Sequence, residues 1–251
     1  MSKYKLCMTE DELLILEKEG LFFRGLEKQP LTVGKVVFFS EISSFYSSAI
    51  LRSENIPIIG GYSYCHSNMP LDMKVGNYCS ISAGLKVMGG AHPYMAFTMN
   101  PIAYDKICFM WKEAQLIKNS RTLIKLKRNL RIGADVWIGD DVMLSQKVSI
   151  GTGAVLGARA NVTKDVPPYA IVGGNPARIL KYRFEEKIIE KLLETRWTEY
   201  DIAPMKIRGD IPVENFIEEF YNYRDKGLIK PIVLKNLKEV LDKNGIEYSQ
   251  V

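Results

Sequence analysis

The 251-residue chain is poor in the residues that build disulfide frameworks and metal sites. It has four cysteines, scattered and without a CxxC pair, and only two histidines, His66 and His92. This spacing favours reduced thiols over disulfides and offers no plausible set of metal ligands. The chain also lacks an apolar run of bilayer-spanning length and a basic-then-apolar leader, so we expect a cytoplasmic protein without a membrane span.

The charge balance is mild, with a net charge of +5. This suits an anionic ligand but does not by itself argue for a nucleic-acid partner. A basic stretch between Lys118 and Arg131 alternates with apolar residues, as expected of a strand. We interpret it as a solvated face, or as a surface that attracts an anionic substrate, and expect no nucleic-acid binding.

The chain is rich in one pattern, an uninterrupted six-residue register. Its lead positions are Ile132, Ile138, Leu144, Ile150, Leu156 and Val162, and each is followed four places later by a small or β-branched residue. Gly or Ser stands next to five of the six leads. A period of six is neither that of an ordinary strand nor that of a helix. It predicts a parallel β-helix, with three hexapeptides to each coil.

The register also divides the chain. It runs through Val75, Ile81 and Val87. The next lead, Ile132, lies 45 positions after Val87, which is not a multiple of six and predicts an inserted loop over residues 88–129. Long loops on rigid scaffolds often carry function. We therefore predict an N-terminal segment over 1–57, a β-helix domain over 58–180 and a helical region over 181–251. Within the β-helix domain, Pro167-Pro168 is expected to stop the regular coils.

Helix signals lie outside the register. Thr9 and Glu12 form a predicted capping box for a short helix that Gly20 ends, and the rest of the N-terminal segment is irregular β. Amphipathic patterns predict C-terminal helices over 184–196, 212–225 and 231–243.

Five motifs carry a family resemblance: IGADVWIG from Ile132, VTKDVPP from Val162, GGNPAR from Gly173, VGNYCSIS from Val75 and GGAHP from Gly89. They resemble the hexapeptide-repeat acyltransferases, and in particular the xenobiotic acetyltransferase branch with its chloramphenicol, streptogramin and sugar O-acetyltransferases. The likeness runs from about residue 58 to 196. It implies a left-handed parallel β-helix, a homotrimer, and acetyl-CoA bound in grooves between subunits.

The resemblance also implies a catalytic base. Transfer of an acetyl group to a hydroxyl requires a group that takes the hydroxyl proton, and neutral imidazole suits this role at neutral pH. His92 stands in the GGAHP context that matches the family's catalytic histidine, whereas His66 is interpreted as a surface or structural residue. The alternative of a Cys79 nucleophile is less favoured, because the family transfers acetyl directly and Cys79 suits a small core or corner position.

Cofactor contacts follow from similarity to the galactoside and maltose acetyltransferases. The positions that would contact CoA are Ala158, Thr163, Lys164, Arg178 and Lys181. The three cations among them are natural partners for the phosphates. Trp137 either lines the groove near the thioester or packs on an exposed face.

These observations lead to one main functional hypothesis with alternatives. We predict an acetyl-CoA-dependent O-acetyltransferase that acts on a hydroxyl of a sugar, polysaccharide or glycoconjugate, with His92 as general base and no metal. The alternatives are an antibiotic O-acetyltransferase and an amino-sugar N-acetyltransferase. A catalytically silent scaffold is opposed by the combination of His92 with Lys164 and Arg178.

Overall fold

The computed structural model describes residues 3–24, 30–34, 38–39, 43–46, 58–67, 73–89, 92, 94–100 and 130–250. Most of the predicted insert, including the basic stretch from Lys118 to Arg128, lies outside these residues.

Short strands dominate the described chain. They are β1 (Lys3–Cys7), β2 (Leu21–Arg24), β3 (Pro30–Gly34), β4 (Phe38–Phe39), β5 (Ser43–Tyr46), β6 (Ile58–Ile59), β7 (Tyr64–Cys65), β8 (Lys74–Val75), β9 (Ser80–Ile81), β10 (Lys86–Val87), β11 (Arg131–Ile132), β12 (Trp137–Ile138), β13 (Met143–Leu144), β14 (Ser149–Ile150), β15 (Val155–Leu156), β16 (Asn161–Val162), β17 (Ala170–Gly173), β18 (Arg178–Tyr182), β19 (Lys235–Asn236) and β20 (Tyr248–Gln250). The helices are α1 (Glu10–Lys18), α2 (Glu186–Thr195), α3 (Val213–Asp225) and α4 (Leu237–Asn244), with 3₁₀ turns at Trp197–Glu199 and Ala203–Met205.

The hexapeptide register forms stacked parallel strands. β11 pairs with β14, β12 with β15 and β13 with β16, and the partners are always 18 residues apart. The three pairs belong to three different sheets, of four, eight and three strands. Three hexapeptides therefore make one repeat, as the sequence predicted, and the architecture is mostly parallel β with helices added.

The lead aliphatic residues point into one core. All six from Ile132 to Val162 are no more than 4% exposed, and the residues four places after them no more than 5%. Each hexapeptide thus contributes two apolar side chains that can be buried only against the repeats above and below.

The turns between strands explain the small residues of the repeat. A Cβ on Gly133 would lie 2.7 Å from the backbone nitrogen of Thr152 in the next repeat, so the backbones approach too closely for a side chain. Three residues after each of several leads, the chain adopts a positive φ, for example at Asp135, Asp141 and Arg159. The tight corner is therefore built from close approach at one position and a left-handed backbone at another.

The insert interrupts the sequence of the stack but not its pairing. β8, β9 and β10 pair in parallel with β11, β12 and β13, although the partners are 57 residues apart instead of 18. Val87 lies against Leu144 in this register. The inserted loop accordingly leaves the stack after β10 and returns at β11.

The prediction that the two prolines stop the stack is wrong by one strand. Val166 bridges Ile150 in parallel, and β17 pairs in parallel with β15. Pro167 and Pro168 lie in the turn between them, where no ladder donor is needed. The parallel stack ends after β17, because β18 turns back and pairs with it antiparallel.

Parallel pairing also continues upstream of residue 58. β7, β5 and β2 extend the eight-stranded sheet in that order, and each pairs in parallel with the next. The pairing offsets here are irregular, which is why the register is faint in this part of the sequence. The domain boundaries drawn from the sequence stay predictions.

The predicted N-terminal helix is confirmed with its cap. Thr9 and Glu12 form the capping box of α1, and Gly20 follows its end with φ +97°. α2 and α3 fall within or beside their predicted ranges. The third predicted helix begins later, at Leu237, because Lys235 and Asn236 instead pair with β4.

The C-terminal region is tied to the side of the stack. The Tyr78 hydroxyl donates to the carbonyl of Tyr200 at 2.6 Å, the Tyr62 hydroxyl donates to Asp201 at 2.6 Å, and the Asn77 amide donates to a nearby carbonyl. The chain then returns to the N-terminal segment, where β20 pairs with β1. Among the described helices, none is both long and apolar enough to cross a bilayer.

Candidate functional site

His92 lies in the loop that leaves the stack after β10, and its side chain is exposed. Its Nδ1–H donates to the carbonyl oxygen of Met99 at 2.9 Å. A carbonyl oxygen only accepts, so this bond places the ring proton on Nδ1. In the neutral imidazole, Nε2 is then the basic atom, which is the arrangement that a general base requires. The carbonyl partner was not evident in the sequence, because loop residues seven apart carry no periodic signal.

Large apolar side chains follow His92 in the sequence. Tyr94, Met95, Phe97 and Met99 are 78%, 86%, 95% and 58% exposed. Several large apolar side chains exposed on one loop are typical of surfaces that bind a ligand or a partner. The loop therefore presents a base beside apolar contact area.

Two of the predicted cofactor contacts emerge at the corner from which the His92 loop leaves. Val87, Leu144 and Val162 are aligned across β10, β13 and β16. The His92 loop begins directly after Val87, and Thr163 and Lys164 come directly after Val162. Thr163 and Lys164 are exposed. Neighbouring strands are roughly 5 Å apart, so the root of the loop lies about 10 Å from Thr163.

Ala158 lies near the opposite ends of these strands, in the turn that precedes β16. It follows β15 and precedes β16, and a Cβ on Gly139 would lie 2.7 Å from its backbone nitrogen. Ala158 is exposed, so it presents a small surface at a tight corner where a ligand can approach the backbone.

The remaining predicted contacts lie on the eight-stranded sheet. Arg178 and Lys181 are exposed residues of β18, and Arg178 Nη1 donates to the carbonyl of Ala177 at 2.9 Å. Trp137 is 55% exposed and aligned with Val155, Ile171 and Lys181 across the strands. Trp137 also lines a cavity of about 240 Å³. Arg178, Lys181 and Trp137 thus lie on the eight-stranded sheet. The other three predicted contacts, Ala158, Thr163 and Lys164, lie at the strand ends of the three-stranded sheet.

A second cavity, of about 370 Å³, lies between the stack and the C-terminal helices and shares two lining residues with the cavity beside Trp137. Asp135 and Arg183 line it and form an ion pair at 2.7 Å. Burial raises the pKa of Asp135, and the Arg183 guanidinium opposes this shift. None of the predicted site residues lines this cavity, so its size does not identify it as the site.

The alternative nucleophile is buried. Cys79 is 0% exposed, and its Sγ–H donates to the carbonyl of Gly133 at 3.1 Å. Burial raises the pKa of the Cys79 thiol to about 12, so it stays protonated at neutral pH. His66 is half-buried, with its ring 5.6 Å from that of Tyr64. In the described ranges no three His, Cys, Asp or Glu residues cluster as metal ligands would.

Comparison with known proteins adds sequence relatives. The chain is 38% identical over 142 residues to a chloramphenicol acetyltransferase from Klebsiella aerogenes, covering 55% of this chain and 64% of the relative. It is 32% identical over 150 residues to a chloramphenicol acetyltransferase from Agrobacterium fabrum, covering 59% of this chain and 70% of that protein. The match to the Klebsiella protein thus spans less than two thirds of its length.

Solved structures resemble the chain more distantly. The acetyltransferase domain of PglB from Neisseria gonorrhoeae, in complex with acetyl coenzyme A, is 18% identical with a TM-score of 0.43 and covers 64% of this chain and 58% of that one. No model of a known protein family matches the chain.

The family assignment comes from the sequence relatives. With 32% identity over 70% of the Agrobacterium protein, the chain belongs to the xenobiotic-acetyltransferase-like branch of the hexapeptide-repeat acyltransferases.

Proposed function

We propose that the chain is an acetyl-CoA-dependent O-acetyltransferase with His92 as its general base. The observation that carries this proposal is the hydrogen bond from His92 Nδ1 to the Met99 carbonyl, which orients the ring and leaves Nε2 as the basic atom. We further propose that the coil is left-handed and the active assembly a homotrimer, as in the family that the motifs resemble.

The proposed reaction follows from this geometry. His92 Nε2 takes the proton of the acceptor hydroxyl as its oxygen attacks the thioester carbonyl. The C–S bond then breaks, and the imidazolium returns the proton to the departing sulfur, so that the products are the acetyl ester and the CoA thiol. General-base catalysis of this kind contributes about 10²- to 10⁴-fold in rate.

The cations fit the phosphates of CoA. Lys164, Arg178 and Lys181 are all exposed. Arg178 can offer a planar fork to a phosphate, and the two lysines act as point charges. Ala158 and Thr163 would approach the pantetheine arm at the corners of the three-stranded sheet, and Trp137 would lie near the thioester.

Three classes of acceptor fit this reaction. The named relatives are chloramphenicol acetyltransferases, which favours an antibiotic-like acceptor. The exposed Tyr94, Met95 and Phe97 beside His92 point the same way, because a largely apolar acceptor would cover them. A sugar hydroxyl, which the sequence analysis preferred, stays a prediction, and an amino-sugar acceptor uses the same base.

An acceptor panel tests the proposal. Purified protein is mixed with acetyl-CoA and with chloramphenicol, a macrolide, simple sugars, amino sugars or a polysaccharide, and CoA thiol release is followed. We expect release that depends on one class of acceptor and exceeds acceptor-free hydrolysis at least tenfold. The absence of acetyl-CoA binding, measured by calorimetry, would overturn the proposal and favour a silent scaffold.

A further inference from the structure

The first residue of the His92 loop is held at both of its peptide groups by the next repeat. The Met88 N–H donates to the Leu144 carbonyl at 2.8 Å, as the parallel ladder requires. The Met88 carbonyl accepts a hydrogen bond from the side chain of Gln146, Nε2–H, also at 2.8 Å. His92 follows four residues later.

Gln146 differs from the Ser and Cys side chains that donate to carbonyls of the stack. Three short side chains do this from one repeat to the next: Ser63 donates to the Gly76 carbonyl, Ser67 to the Ser82 carbonyl and Cys79 to the Gly133 carbonyl. Arg183, which follows β18, donates to the Gly153 carbonyl from beyond the parallel stack. Gln146 instead reaches back from the later repeat with a long side chain that is only 9% exposed. Its target is the point where the chain departs from the stack.

Gln146 also lies between the base and the proposed cofactor contacts. The aligned residues of the three neighbouring strands are Val87, Leu144 and Val162. Two positions after each of them come Gly89, Gln146 and Lys164, respectively. One residue therefore contacts the root of the loop and occupies the repeat that separates it from Lys164.

We propose that Gln146 is a positioning residue, which fixes the root of the His92 loop relative to the cofactor groove. The proposal rests on the acetyltransfer function above. A displacement of about 1 Å at a reacting group costs about 100-fold in rate, so a small shift of the loop root has a large effect on turnover. Substrate binding is affected less, because Lys164 and Arg178 lie on other repeats.

The test compares Gln146→Met, which keeps the length of the side chain without the donor, with Ser67→Ala. The control removes the side-chain donor to the Ser82 carbonyl and the acceptor of the Leu85 N–H, both upstream of β10, and leaves the hydrogen bonds of Met88 in place. Each variant is expected to lower the melting temperature by about 2 to 6 °C. Gln146→Met should lower kcat about 10- to 100-fold with the KM for acetyl-CoA within twofold of wild type, and Ser67→Ala should leave kcat unchanged. Equal kcat losses in the two variants, or unchanged kcat in Gln146→Met, would overturn the proposal.

A second readout does not depend on activity. The chain has two histidines, so nitrogen NMR of the rings reports His92 with His66 as an internal reference. Gln146→Met should shift the His92 ring nitrogens and reduce the Nδ1–H population, with His66 unaffected. Unchanged His92 signals would contradict the positioning role even if no acceptor were found. If the wild-type protein showed no turnover but Gln146→Met showed the expected shift of the His92 signals, only the acetyltransfer function would be overturned.

Discussion

At the scale of single residues, the sequence predicted a core or corner position for Cys79 and selected His92 as the candidate base. The motif around His92 identified it as the candidate base, and its resemblance to a known family was needed because nothing in composition or spacing selects it over His66. The sequence did not predict the Met99 carbonyl that orients the ring, nor Gln146 at the loop root. Both contacts depend on where an aperiodic loop turns, which apolar periodicity cannot report.

Arg178 gives a prediction for the cofactor. It is exposed on β18, and a charge-assisted hydrogen bond to a phosphate contributes about 1.5 to 3 kcal/mol. We expect Arg178→Ala to raise the KM for acetyl-CoA at least tenfold with kcat changed less than threefold, measured by initial rates. Lys187→Ala, which removes an exposed charge from α2, is the control. An unchanged KM in Arg178→Ala would remove Arg178 from the cofactor site.

The buried thiols predict a loss of stability at alkaline pH. Burial raises the pKa of Cys65 and of Cys79 from an ordinary value of 9.0 to about 12. The unfolded chain releases these protons above pH 9 whereas the folded chain retains them, so the free energy of unfolding falls as pH rises from 9 towards 12. Urea titrations at pH 8 and pH 10.5 should show a smaller fall in the Cys65→Ala, Cys79→Ala double variant than in wild type. The same fall in both proteins would contradict this.

The hexapeptide strands were the most predictable elements. Their inward residues recur every six positions from Ile132 to Val162, and the structure buries all of them. The upstream strands β2 and β5 were not recognised as part of the same sheet, because their pairing offsets differ from 18 residues and leave no constant period. Pro167-Pro168 was misinterpreted as a stop, because prolines are compatible with a turn between parallel strands.

The corner between strands gives a stability prediction. A Cβ on Gly133 would lie 2.7 Å from one backbone atom of the next repeat and 3.0 Å from others, so the two repeats must move apart. We expect Gly133→Ala to destabilise the fold by about 1 to 3 kcal/mol, measured by urea unfolding. Gly209→Ala, with nothing within 4 Å of its added Cβ, should change stability by less than about 0.5 kcal/mol. Equal effects of the two substitutions would show that the corner tolerates a side chain.

The N-terminal and C-terminal segments of the chain pack against each other. β1 pairs with β20, and Glu19 forms ion pairs with Lys235 at 3.2 Å and with Lys243 at 2.9 Å. Leu16 and Leu241 belong to the same buried cluster as the lead residues of the stack. The two terminal segments therefore extend one core, a long-range arrangement that the sequence did not indicate because it links residues more than 200 positions apart.

The proposed assembly is a homotrimer, which the family resemblance implies. Sedimentation equilibrium should give a mass of about 86 kDa, three times the 28.5 kDa chain. We propose that the exposed Phe97 and Met95 are covered by either a subunit contact or an acceptor, and Phe97→Ser tests which applies. A shift of this variant towards monomer places the loop at the interface, and a trimer with weakened acceptor binding places it at the acceptor. A monomeric wild-type protein would contradict the proposed assembly.

The most direct test of this account is the rate of acetyl transfer by His92→Ala, with His66→Ala as the matched control. With the acceptor found by the panel, we expect His92→Ala to lose about 10²- to 10⁴-fold in kcat while it keeps the fold and the affinity for acetyl-CoA. His66→Ala should retain transfer within about threefold of wild type. If His92→Ala, still folded, transferred acetyl at a rate close to that of the wild type, His92 would not be the general base of acetyl transfer.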